Sequence, residues 1–116
     1  MAGGGAALSH HAQDAIADEA NSIGVSAASA MEVATKFRIG KLPNAALLAR
    51  DFEAIVADQG FVEIPITVHH ARLAGEMRID HKDPFDRMLI AQAQAEDMVL
   101  VSNEALFDKF AVNRLW

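Results

Sequence analysis

Residues 81–94 read HKDPFDRMLIAQAQ, with Asp83 and Asp86 on either side of Pro84 and Phe85 at the head of an apolar run. Two carboxylates in such a place have two uses. The structural one is helix initiation, with Asp83 as N-cap, Pro84 at the first helical position, and Asp86 at the third, where the helix dipole favours an acid. The chemical one is to hold a hard cation, which prefers oxygen ligands. Two more acids suit the same use. Glu32 follows the apolar run IGVSA, and Glu104 comes directly after MVLVS.

The elements that must position these acids alternate along the chain. Ser9 is a candidate cap for a helix over LSHHAQDAIADEANS, with Ala12, Ile16 and Ala20 at four-residue steps. IGVSA then reads as a buried strand. A second helix is expected over SAMEVATKFRIGKLP, capped by Ser29 and stopped by Gly40 and Pro43. Asn44 would cap one continuous helix over AALLARDFEAIVADQG, and FVEIPITV reads as a strand with proline near its end. A short helix over residues 68–77 precedes the helix from Pro84 to about Glu96. MVLVS is an apolar strand, NEALFDKF a short helix and AVNRLW a last edge strand. Short apolar strands alternating with helices predict an α/β fold, a parallel sheet covered by helices on both faces. Ligands in such sheets bind beyond the carboxyl ends of the strands, where Glu32, Asp86 and Glu104 fall.

Composition narrows the function classes. The 116 residues suit one domain, placed at 8–116 after a flexible glycine-rich start at 1–7, and 52% apolar content is enough for a core. There is no cysteine, which excludes disulfides and thiolate metal sites. Neither a signal peptide nor an apolar run of membrane-spanning length stands out, so a cytoplasmic protein without membrane contact is expected. A net charge of −6 argues against gripping nucleic acid by bulk charge. Clustered carboxylates lower that count, however, and bound metals return positive charge locally.

The segments VSAASAMEVATKFRIGKL, DPFDRMLIAQA and MVLVSNEALFDKF, in that order and spacing, resemble a PIN domain. They are most similar to the toxin ribonucleases of VapBC-type bacterial toxin–antitoxin pairs. The resemblance implies a three-layer α/β/α fold and an endoribonuclease that uses Mg2+ or Mn2+ held by carboxylates. It implies an antitoxin partner and an RNA substrate, and leaves a homodimer open. By position, Glu32, Asp86 and Glu104 match the family's acids and become the expected catalytic and metal-binding set. Ser102 matches a threonine or serine near the site. Lys36, Arg38, Arg87 and Ser102 are candidate RNA contacts, with Lys41 beside them. A solvated helix face suits the lysines and Arg38 as well, and Arg87 could instead pair with an acid.

Bland readings accompany each acid. Glu32 could complete a capping box with Ser29 or pair with Lys36 four residues on, and Glu104 could cap a helix. The pairs His10-His11 and His69-His70 lack zinc-type spacing, since neighbours on a helix point apart. Phe37, Phe85, Phe107 and Phe110 are expected in the core rather than as base-stacking platforms.

One departure concerns the first acid. The family has an aspartate on a central first strand, between the second and fourth, followed by a helix. Here MAGGGAA stands in that place without an acid, so the first strand and helix are expected to be missing. Three glycines disfavour an ordered strand, and a groove should open beside its neighbours. Two accounts follow: a PIN-like protein that binds an antitoxin or itself without cutting, or a start codon placed too late, testable from the upstream DNA.

Overall fold

The computed structural model describes residues 2–3, 9–41 and 46–116. The chain opens with a two-residue strand, β1 (Ala2–Gly3), and helix α1 (His10–Ala17). Ser9 caps α1 as anticipated, its hydroxyl accepting the Ala12 N–H at 3.0 Å. The helix stops earlier than its apolar spacing suggested. Asp18 turns extended, and Asn21 Nδ2 donates back to the Ala15 carbonyl at 2.8 Å.

Strand β2 (Gly24–Ser26) runs straight into α2 (Ala27–Arg38). Its cap is therefore Ser26 rather than Ser29, with the Ser26 Oγ accepting the Ala28 N–H at 3.0 Å. Gly40 ends the segment at φ 81°, the left-handed conformation that glycine adopts without strain. Pro43 and Asn44, the expected stop and cap, lie outside the described residues. The single helix expected next is two, α3 (Ala46–Arg50) and α4 (Phe52–Asp58). The break falls at Asp51, at φ −118° and ψ 35°, a residue type whose side chain competes with helical backbone.

Strand β3 (Val62–Ile64) ends before Pro65. Helix α5 (Val68–Glu76) begins with a capping box between Thr67 and His70. In α6 (Pro84–Ala95) the Asp83 carboxylate accepts the Phe85 and Asp86 N–H groups at 2.9 and 3.2 Å. Strand β4 (Leu100–Ser102), a 3-10 turn (Ala105–Lys109) and β5 (Arg114–Leu115) complete the chain. No helix among the described residues is long and apolar enough to cross a membrane.

Every strand pair is parallel, which confirms the α/β class. Among the described residues, however, the strands form two ladders rather than one continuous sheet. β2 pairs with β3, while β1, β4 and β5 form a second ladder in that order. The glycine-rich start was expected to carry no strand, yet Ala2 and Gly3 pair with Val101 and Ser102. Its partner is the edge of β4 opposite β5, whose peptide groups need hydrogen bonds. Among the described residues no ladder joins this set to β2. The expected groove has a counterpart in an apolar crevice of about 180 Å3, lined by Val25 of β2 and Val101 of β4 with Ile16, Ile23, Val33 and Phe61.

The core gathers around α6. Leu89, Ile90 and Ala93 pack with Ala28, Leu100 and Phe107, while Phe85, Met88 and Phe110 close the margin. Gln92, fully buried among them, carries the polar link to the other ladder. Its Oε1 accepts from the Ser26 hydroxyl, and its Nε2 donates to the Pro65 carbonyl at 3.2 Å.

Candidate functional site

Three acids meet electrostatically although they come from distant parts of the chain. Asp86 is the third residue of α6, placed there by the Asp83-Pro84 start. Burial raises its pKa, and the charges of Asp83 and Glu32 push in the same direction; the His81 hydrogen bond opposes them. Glu104 follows β4, where its N–H donates to the Ser102 Oγ at 3.1 Å. Its pKa is also raised, first by burial, then by the charges of Asp86 and Glu32. Glu32, on α2, pairs with Lys36 at 3.0 Å. The capping box between Glu32 and Ser29 does not form, because Ser26 is the cap.

The basic and hydroxyl candidates fare differently. Arg38 and Lys41 are exposed at the end of α2, while the Lys36 ammonium is engaged by Glu32. Arg87 is occupied. Its guanidinium donates to the carbonyls of Ala74 at 2.8 Å, Met77 at 2.7 Å and His81 at 2.8 Å. It thus clasps the end of α5 and the loop leading to α6, and an RNA phosphate would have to compete with these carbonyls for it. Ser102 is likewise engaged within the protein. It is fully buried, because its hydroxyl is needed to turn the chain into Glu104.

In the pair His69-His70 both rings have partners within the protein. His70 is buried, accepting the Thr67 N–H at Nδ1 and donating from Nε2 to Glu96 at 2.8 Å. His69 accepts from Arg72. Phe107 is buried, with Phe85 and Phe110 packed on the core.

The residue that sequence reasoning missed is His81. Its Nε2 lies 2.7 Å from Asp86 Oδ2, and its ring sits against Phe110 with centroids 5.9 Å apart. The signal was its place five residues before Asp86 across a proline-initiated turn, a spacing that no helix or strand period picks out.

This all-oxygen donor set suits a hard divalent cation in kind. Carboxyl groups whose pKa is raised by burial and by neighbouring negative charge, as at Asp86 and Glu104, are favoured in their ionised form by added positive charge. The buried Asn103 Oδ1, next to Glu104 in the chain, adds an oxygen with no hydrogen-bond partner among the described residues. No three His, Asp or Glu side chains among the described residues are close enough to enclose an ion. An ion that keeps several waters needs only one or two of them directly. The family model of the PIN domain matches residues 5–113 of the chain. No curated protein and no solved structure matches it.

Proposed function

The chain belongs to the PIN domain family, whose members are in general nucleases, and from that premise we propose that it is a divalent-metal-dependent endoribonuclease acting as the toxin of a bacterial type II toxin–antitoxin pair. The observation that carries the reading is that α6, the end of β4 and α2 bring Asp86, Glu104 and Glu32 near enough for the charge of Glu32 to bear on Asp86 and the charges of both to bear on Glu104. Asp86 and Glu104 would hold Mg2+ or Mn2+, with Glu32 reaching it through water. The bound cation would supply Lewis-acid polarisation of a phosphodiester and activation of water for its hydrolysis.

The chain's own residues prepare the site. Asp83 spends its carboxylate on the α6 N-terminus, which leaves Asp86 for the cation. Lys36 steadies Glu32 across one helical turn, and Ser102 fixes the backbone that presents Glu104. Arg38 and Lys41, both exposed, are suited to RNA phosphates in the single-stranded or looped segments that can bend into such a site. The antitoxin would act by covering this acidic cleft, in the cytoplasm where both partners are made.

A second reading is a PIN-like protein that binds an antitoxin or a second copy of itself without cutting. One observation favours it: no three metal-binding side chains are gathered tightly among the described residues. One assay separates the two. Purified protein incubated with RNA should cut it only with Mg2+ or Mn2+, and Asp86→Asn should abolish cleavage while its circular dichroism stays native. No cation-dependent cleavage by the wild type would favour the binding protein, and undiminished cleavage by Asp86→Asn would remove Asp86 from the site.

A further inference from the structure

The His81 side chain is fixed from three directions. Its backbone carbonyl accepts from Arg87 Nη1 at 2.8 Å, which anchors the loop before α6. Its ring rests against Phe110 at 5.9 Å between centroids. Its Nε2 reaches Asp86 Oδ2 at 2.7 Å, in a place where the imidazole is about three-quarters enclosed at 25% exposure. Asp86 is itself joined to Arg87 in the chain, so one short segment sets both partners. An ionised carboxylate only accepts hydrogen bonds, so Nε2 must be the protonated nitrogen.

We propose that His81 is a positioning residue for Asp86: its Nε2–H holds one carboxylate oxygen, which orients the other toward the cation. The inference rests on the metal-dependent reading of the site. It goes beyond that reading in assigning a residue that touches neither metal nor RNA. Carboxylate ligands held by a second hydrogen bond do not have to lose side-chain freedom when the ion arrives, and losing such a partner costs about 10- to 100-fold in metal affinity. Nothing else hydrogen-bonds the Asp86 carboxylate among the described residues, so the task falls to His81.

The test uses the full chain and Mn2+ alone, followed by titration calorimetry at fixed pH. His81→Phe keeps a ring against Phe110 and removes the donor; His81→Gln keeps an N–H near the position of Nε2. The first should weaken Mn2+ binding about 10- to 100-fold with an unchanged melting temperature, and the second should recover most of the loss. Asp86→Asn is the comparator. If wild type binds Mn2+, Asp86→Asn does not and a folded His81→Phe binds as wild type does, His81 has no positioning role and the metal reading stands. If wild type binds no Mn2+, the metal reading falls and this role falls with it. A readout independent of metal is the imidazole nitrogen spectrum. It should show His81 with a proton on Nε2, a signal moved by Asp86→Asn; a ring protonated on Nδ1 alone would overturn the assignment.

Discussion

Replacing Arg87 by alanine distinguishes a clasp from a phosphate contact. The guanidinium makes three short bonds, to the carbonyls of Ala74, Met77 and His81 at 2.8, 2.7 and 2.8 Å. Two longer approaches to Gly75 and Ile79, both 3.4 Å, are weak and are discounted. A hydrogen bond from a charged donor contributes roughly 1.5–3 kcal/mol, so three sum to roughly 4.5–9 kcal/mol. That sum is an upper bound. The three act together, the half-exposed carbonyls of Met77 and His81 can take up water, and ordering an arginine costs about 2 kcal/mol of rotamer entropy. A net loss of about 3 kcal/mol remains, near the upper end of ordinary single substitutions. For a domain of this size that lowers Tm by roughly 12 °C. The assay is thermal and urea unfolding followed by circular dichroism. Arg87→Lys should recover only a minor part, because one ammonium cannot reach three carbonyls in the fork geometry. An Arg87→Ala protein that melts with the wild type, yet binds RNA more weakly with a salt slope reduced by about one, would refute the clasp and restore the phosphate contact.

Other outcomes follow from the same geometry. Ser26→Ala removes a buried hydroxyl that serves both Gln92 and the Ala28 N–H, and should lower the urea midpoint by an amount equal to about 2 kcal/mol, with an unchanged slope. Gly24→Ala would place a Cβ 2.7 Å from Met98 Cε and 2.8 Å from Ile64 Cγ1. The methionine end can swing aside but the Ile64 branch on the paired strand cannot easily, so a loss of roughly 1–2 kcal/mol is expected in the same unfolding assay. Asp86 and Glu104 have raised pKa values and so hold protons more tightly folded than unfolded. Their contribution to stability is therefore greatest in acid and falls as pH rises from about 4 through their raised values. A divalent cation reverses that loss, so Mn2+ should raise Tm at pH 7.5, have little effect near pH 4, and be undone by chelator. An equal rise at both pH values would contradict the site.

Local grammar was the legible part of this chain. Asp83-Pro84, Ser9 and Gly40 announce helix ends because caps and left-handed stops act within a few residues of themselves. The acids at the strand ends were legible for a related reason, since a parallel α/β pattern predicts where such ends point. Distant matters were not. Ser26 rather than Ser29 is the cap because β2 passes into α2 without a turn, and it is also tied to Gln92, 66 residues away. The partners of Arg87 were hidden because they are carbonyls, which any residue supplies and no side-chain pattern marks. Ser102 matched a site position by alignment of type, while its burial depends on how β4 lies in the core. His81 was hidden for the opposite reason, lying inside the very stretch whose acids drew attention.

The division of the strands into two ladders has a consequence for how the molecule breathes. Among the described residues no strand ladder links β2–β3 to β4–β5, while α6 touches both, through Gln92 on one side and through Leu89, Ile90 and Ala93 on the other. The protein has in effect one spine and two wings. Unzipping β2 from β3 leaves the β4–β5 ladder intact, which makes it a partial opening with a free energy below that of global unfolding. Amide exchange would then sort residues by wing rather than by depth, with the slowest amides along α6. Glu32 rides on the helix that follows the first wing, whereas Asp86 belongs to the spine. The acids would accordingly part company before the fold is lost.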